Sequence, residues 1–470
     1  MIPLLLMIIV PAAFLAAAAA FKSHPKELSV SSTFIGLILA VYFFLSVMTS
    51  GSIAQSYNYI PALNIGFSLN AGSTSMILLL MASIVLFVTA FAGNVNREKE
   101  RTASLLLLLF QAGVSGLFLS GNFFVFFIFW DIGIIAPFFM INILGSANRR
   151  IASYKFILYE IFASALLLAG IILIYFYAPA HTLNIYSLSS LYAQMPLYIQ
   201  ETIFILFFIA FMINIPVFPL HTWLPDAHSE ASTQGSMVLS GIVTKFGGFG
   251  MILIFATMPV ARSFSYYIAI LAAFSAFYAA FLTMRQSDLK RVVAHTTIVE
   301  MSIVLFAIAT MTNIGQSGAV FGMLSHGLVV ALMFLSVGAI EHIFHERKID
   351  MLRGISKGAK FTAYAFLVGI FIMTGVPLTS GFIADVLIFI GGASAFGIYG
   401  IIPLFSLIIL GAFMYLVINK SFFANRRATP AAATIGISQK MGYAVLLAAI
   451  FFFGILPFVA LNLINSGGVV

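Results

Sequence analysis

The chain has 470 residues, of which 62% are hydrophobic and 8% charged, and its mean hydropathy is +1.12. Soluble domains carry roughly 25% charged residues, so a soluble fold is excluded. Cysteine is absent, which excludes disulfides, iron–sulfur clusters and thiolate metal sites in this chain.

A hydrocarbon core about 30 Å thick takes roughly 20 apolar residues per helical crossing. Fourteen such stretches run near 2–21, 31–49, 73–93, 103–119, 121–145, 155–178, 202–220, 233–257, 264–284, 292–311, 316–340, 361–392, 399–418 and 441–463. Lipid offers exposed backbone no hydrogen bonds, so only helices or closed barrels span it. These runs are too long and uniform for the alternating strands of a barrel. The first has no basic segment before it and reads as a retained helix, not a signal peptide. The expected fold is all-α and polytopic, a single integral membrane domain with about fourteen transmembrane helices.

The net charge of +8 follows this division. Fourteen crossings return both termini to one side. The links after the odd-numbered stretches hold twenty of the 22 Lys and Arg residues, from Lys22 and Lys26 to Arg426, Arg427 and Lys440. The even-numbered links hold Arg262, and Lys245 lies inside a stretch. Excess Lys and Arg marks the cytoplasmic side, so both termini are expected on the other. The charge is topology, with no nucleic-acid partner implied. The basic links 341–360 and 419–440 could also meet partner subunits or anionic lipid.

An ionisable residue inside a span is costly and is by default a candidate for function. Asp131 lies midway along the fifth stretch, Lys245 in the centre of the eighth, and Asp385 in the twelfth. Glu300 and His295 lie in the first half of the tenth, and His326 in the eleventh. A core histidine bonded to a backbone carbonyl is the plain alternative for His326. Glu160, one turn inside the sixth stretch, and His295 lie near the basic face, where snorkelling explains them as well as function does.

Two stretches carry breaks, Asn214-Ile215-Pro216-Val217-Phe218-Pro219 and Thr374-Gly375-Val376-Pro377-Leu378-Thr379-Ser380-Gly381. Proline removes a backbone donor and clashes with the preceding turn, so both should kink or unwind. Breaks at matched positions of two halves point to a transport site. Their offset is five crossings, an odd number, so helices 4–8 and 9–13 are expected to form two inverted repeats. Residues 1–100 then hold the first three helices, 101–258 and 259–420 the repeats, and 421–470 the last helix.

The sequence resembles the antiporter-like membrane subunits of respiratory complex I and their relatives in multisubunit sodium/proton antiporters and membrane-bound hydrogenases. The most specific segment is His221-Thr222-Trp223-Leu224-Pro225-Asp226-Ala227-His228-Ser229-Glu230-Ala231, followed by Gly235-Ser236-Met237-Val238-Leu239. Asp288-Leu289-Lys290-Arg291-Val292-Val293-Ala294-His295-Thr296-Thr297 and Ser325-His326-Gly327-Leu328 are also typical. The resemblance covers roughly 100–420 and implies fourteen helices with an inverted five-helix repeat.

By this resemblance Asp131 matches the family's helix 5 glutamate, Lys245 the central lysine of helix 8, and Asp385 the acid or lysine of helix 12. An acid at that last position is typical of chain M (chain 4 in organelles); chains L and N usually carry lysine. Asn214 departs from the pattern, since the family normally has lysine seven residues before His221. Asp131 is one methylene shorter than the usual glutamate, and Glu300 stands where histidine is common in chain M.

The resemblance implies a proton-translocating subunit driven by a redox module elsewhere in the complex, with no cofactor or metal of its own. Lys245, His295, Glu300 and His326 would form the central relay, Asp385 the exit and Asp131 the coupling to a neighbouring subunit. Asn214, Pro216, Pro377, His221 and His228 would shape the helix breaks and line the channel. The implied partners are neighbouring antiporter-like chains, the quinone module and the lipid bilayer, in a prokaryotic plasma membrane, with protons as the ion and sodium as the alternative. The alternatives are a cation/proton antiporter or membrane-bound hydrogenase subunit, and a structural spacer whose first half-channel is impaired at Asn214.

Overall fold

The computed structural model describes residues 2–21, 24–93, 97–192, 194–423 and 435–467. Among these, thirteen helices are long and apolar enough to cross a membrane, and Leu6–Ala20 and Lys360–Met373 are shorter apolar helices. In chain order they begin with α1 (Leu6–Ala20) and α2 (Pro25–Ser50). A hairpin of β1 (Ile53–Ile60) and β2 (Ile65–Ala71) follows, then α3 (Ser73–Ala92), α4 (Glu100–Phe118), α5 (Phe123–Leu144) and α6 (Arg149–Tyr177). A short α7 (Leu188–Tyr192) leads to α8 (Leu197–Asn214) and α9 (Trp223–Glu230). Next, α10 (Thr233–Val238) continues through a π turn at Leu239–Val243 into α11 (Thr244–Thr257). The second half has α12 (Ala261–Thr283), α13 (Leu289–Ala309), α14 (Asn313–Phe344), α15 (Ile355–Gly358), α16 (Lys360–Met373), α17 (Ser380–Phe396) and α18 (Leu404–Val417). It closes with α19 (Ile437–Ile455) and α20 (Phe458–Gly467).

The helix starts follow local chemistry. Asn122 caps α5 by accepting from Val125 N at 2.8 Å, and Asp288 caps α13 by accepting from the N–H groups of Lys290 and Arg291. Each cap satisfies donors that the helix itself leaves open. The two interruptions fall where the prolines place them: 215–222 between α8 and α9, and 374–379 between α16 and α17.

Several helices extend beyond their apolar stretches. The sixth stretch starts at 155 on hydropathy, yet α6 begins at Arg149. The second starts at 31, and α2 begins at Pro25, a favourable first helical residue. Charged residues end an apolar run without ending a helix, because Lys, Arg and Glu are good helix formers.

The hairpin qualifies the all-α expectation. Its strands pair antiparallel from Ile53 opposite Ala71 to Ile60 opposite Ile65. They bond to the neighbouring links, Gly121 N to Ser68 O at 2.8 Å and Asn122 Nδ2 to Gly66 O at 2.6 Å. At the opposite end the odd-numbered links meet one another. Lys99 donates to Ile143 O, Lys290 to Ala231 O, Arg347 to Ser229 O, and Leu289 N to Arg347 O. Lys22, Arg426 and Arg427 lie outside the described residues.

The centre of the bundle is formed by α10–α11 and α14, whose apolar spans are wholly buried, and by α13 and α3, nearly so. These central helices carry most of the ionisable residues found inside the spans.

Candidate functional site

Lys245, near the start of α11, is fully buried. Its Nζ lies 2.5 Å from Ser240 O, 3.2 Å from Thr244 Oγ1 and 2.6 Å from His326 Nδ1. The π turn just before it explains the first contact. A wider turn loosens the backbone ladder, and Ser240 O accepts from the side chains of both Lys245 and Thr244; such turns cluster at functional sites. His326 on α14 touches the lysine directly, so the carbonyl-bonded alternative is not what the structure shows.

On one side of Lys245 the polar row continues to the segment that begins His221-Thr222-Trp223. His228 Nε2 lies 2.6 Å from Ser240 Oγ, and Thr297 Oγ1 donates to the same hydroxyl at 3.2 Å. His228 is fully buried and stacks on Phe334 with ring centres 4.5 Å apart.

On the other side lies a small cavity lined by Glu300, Ser325, His326, Gly381 and Asp385. Its free space is about 10 Å³, on the scale of one water molecule. When Lys245 Nζ donates to Nδ1 of a neutral His326 ring, the ring proton sits on Nε2, which has no protein partner. The second helix break closes this region. Thr379 caps α17, and Ser380 Oγ lies 2.8 Å from Ser325 Oγ on α14. Asp385 also lines a groove of about 610 Å³ on the flank of α17 and α18, with Thr374, Gly375, Phe382 and Leu404 among its walls. Asp385 therefore stands between the internal cavity and the edge of the bundle. Gly375 in the break has φ +72°, and a Cβ built there would meet Asp385 Oδ2 at 2.8 Å.

In the first half the central contact is between an amide and a carboxyl. Asn214, the last residue of α8, is fully buried, and its Nδ2 lies 3.2 Å from both carboxyl oxygens of Glu160 on α6. Its Oδ1 accepts from Gly247 N on α11 at 3.1 Å. Snorkelling therefore does not explain Glu160, which is completely buried. The cause is the longer helix: Glu160 follows Arg149 by eleven residues, about three turns, not one. Asp131 is half-buried on α5 and accepts a hydrogen bond from Ser164 Oγ on α6.

His295 is buried, with Nδ1 2.8 Å from Arg291 O of its own helix. His221 lies in the first break beside Phe218 and Tyr278, its Nδ1 without a protein partner. Pro216 and Pro377 lie within the two interruptions, as their sequence context requires. Sequence reasoning missed Ser240, Thr244 and Thr297, because hydroxyls are unremarkable in apolar helices. Among the described residues, no group of three or more His, Asp or Glu is arranged to hold a metal ion.

The chain is similar in sequence and in fold to known membrane proteins. The model of a family described as "NADH:quinone oxidoreductase/Mrp antiporter, TM" matches residues 120–411. The chain is 32% identical to the F(420)H(2) dehydrogenase subunit M of Methanosarcina mazei, over 99% of this chain and 97% of that one. It is 30% identical to NADH-quinone oxidoreductase subunit M of Rickettsia bellii, over 94% and 91%. Its fold matches a chain of respiratory complex I from Thermus thermophilus with TM-score 0.89 at 22% identity, covering 99% of each chain. An archaeal membrane-bound sulfane sulfur reductase gives TM-score 0.89 at 25% identity, over 98% of this chain and 77% of that one. The Mrp complex of Dietzia sp. gives TM-score 0.89 at 20% identity, over 99% and 97%. With its helical membrane fold and its buried lysine, histidines and carboxyls, the chain belongs to the family of antiporter-like membrane subunits shared by NADH:quinone oxidoreductases and Mrp antiporters.

Proposed function

We propose that this chain is a chain M-type subunit of a complex I-type NADH/quinone oxidoreductase, and that it translocates protons while electron transfer takes place in other subunits. The observation that carries this reading is the buried polar row centred on Lys245. It runs from His228 through Ser240 to Lys245 and His326, then across a cavity to Glu300 and Asp385. Asp385 in place of a lysine favours the chain M type, and the subunit M relatives support the same assignment. The subunit would sit among other membrane subunits, with the basic links on the cytoplasmic side and both termini opposite.

Proton movement follows from the contacts. The 2.6 Å separation of Lys245 Nζ and His326 Nδ1 allows a proton to pass from the ammonium to the ring. The ring then gives up its Nε2 proton toward the cavity that it shares with Glu300 and Asp385. Reloading would come from the opposite side of the lysine, where His228 and the Ser240 hydroxyl lie. Two unit charges about 8 Å apart interact by roughly 2 kcal/mol at an effective dielectric of 20. Moving one charge against 100 mV costs about 2.3 kcal/mol. Displacing a single neighbouring charge therefore changes the energy of the lysine by about as much as one proton gains or loses in crossing the membrane.

The test is Lys245→Ala in the whole complex, measured as proton uptake by inverted membrane vesicles with and without sodium. Pumping is expected to be lost while the complex assembles and its peripheral electron transfer persists. Unchanged proton stoichiometry would overturn the relay, and uptake that requires sodium would favour a cation/proton antiporter instead.

A further inference from the structure

Glu160 is a buried carboxyl that the polar row around Lys245 does not include. It lies three turns inside α6 with no exposed surface, and among the described residues it has no ion-pair partner. What holds it is an amide: Asn214 Nδ2 lies 3.2 Å from Oε1 and from Oε2. Building on the proton-translocation reading above, we infer that Glu160 is the proton-carrying group of the first half of the chain, positioned by Asn214.

The geometry around the pair supports this. Asn214 is fixed from the other side by Gly247 N, which donates to its Oδ1 at 3.1 Å. The fit there is tight, since a Cβ on Gly247 would meet Phe211 O at 2.6 Å and Asn214 Cβ at 3.0 Å. The amide is thus clamped between α6 and α11, two residues beyond Lys245. An amide neither takes up nor releases a proton in this pH range, so the carboxyl is the only titratable member of the pair. Asn214 donates to a carboxylate oxygen and, more weakly, to the carbonyl oxygen of the acid, so its contact survives both states. Uptake adds one proton to a carboxylate oxygen and cancels its charge; release returns the proton and restores the charge. Either change is presented to α11 through the clamped amide.

A proton has somewhere to come from. Ser164 lies one turn beyond Glu160 on α6, on the same side of the helix, and donates to Asp131 Oδ1. Asp131 is half-buried at the edge of the bundle. The order Asp131, Ser164, Glu160, Asn214, Gly247 leads from that edge to the central helix. Asp131 and Asn214 do not bond to each other, and Glu160 supplies the buried acid between them.

The experiment is infrared difference spectroscopy of the purified whole complex between acidic and alkaline buffer, a readout that needs no pumping. A carboxyl C=O band is expected that disappears in Glu160→Gln and persists in Asp131→Asn. Coupled turnover in Glu160→Gln is expected to fall roughly 10²-fold, the low end for losing a positioned proton carrier. Glu160→Asp, which keeps an acid, is expected to shift the band and to recover part of the turnover. A band that survives Glu160→Gln, or is unmoved in Glu160→Asp, would overturn the inference. So would full turnover in Glu160→Gln. Normal pumping in Lys245→Ala would sink the relay through Lys245 without bearing on whether Glu160 titrates.

Discussion

The positions of Ser240 and Gly375 carry consequences that can be tested one residue at a time. Ser240 serves twice: its carbonyl holds Lys245, and its hydroxyl joins His228 and Thr297. Ser240→Ala removes only the second role. It is expected to cost about 1 kcal/mol of stability and to slow proton uptake in vesicles while the complex assembles. Gly375 takes a left-handed conformation next to Asp385. Gly375→Ala adds about 1–2 kcal/mol of backbone strain and forces the carboxyl away from its place between cavity and groove. Pumping is expected to fall in that variant, with assembly measured alongside it. Lys245, Asp385, Glu300 and His326 were legible in the sequence because charge inside an apolar run is conspicuous. Glu160 stood out for the same reason, but its depth did not, since its place within α6 depends on two helical turns too polar for hydropathy to count.

At the scale of elements, the short helix α9 depends on its neighbours. It has eight residues, fewer than the 12–15 an isolated helix needs to be even marginal in water. Asp226 ties it to α6 through Lys155 at 2.7 Å and to α13 through Arg291 at 2.8 Å. Arg347 binds its carbonyl at Ser229, and Lys290 the one just past its end at Ala231. The Asp226 pairs are partly exposed and worth about 0–1 kcal/mol each, so their effect is local. Asp226→Asn is expected to raise amide hydrogen exchange across 223–230 while leaving exchange in α14 unchanged. Both interruptions were legible from Pro216, Pro219 and Pro377, because a missing N–H breaks a helix whatever surrounds it. The hairpin at 53–71 was not. Its strands are short and partly polar, and its pairing is completed by bonds to 119–122, more than forty residues away in the sequence.

For the whole molecule the central question is direction, since a proton path has meaning only with a sidedness. The structure gathers the links rich in Lys and Arg at one end, where they bond to one another. The hairpin and the links at 119–122 and 183–185 gather at the other. By the positive-inside rule the first end would be the cytoplasmic one. The chain contains no cysteine, so a single introduced thiol reports its own location. Ala147 is exposed in the link between α5 and α6, at the basic end, and Ala62 is exposed at the hairpin turn. A membrane-impermeant maleimide is expected to label Ala62→Cys in intact cells and Ala147→Cys only in inverted vesicles. The reverse pattern would turn the proton path around. It would place the Lys155–Asp226–Arg291 network on the discharge side and leave the basic links opposed to the charge rule that holds for most membrane proteins.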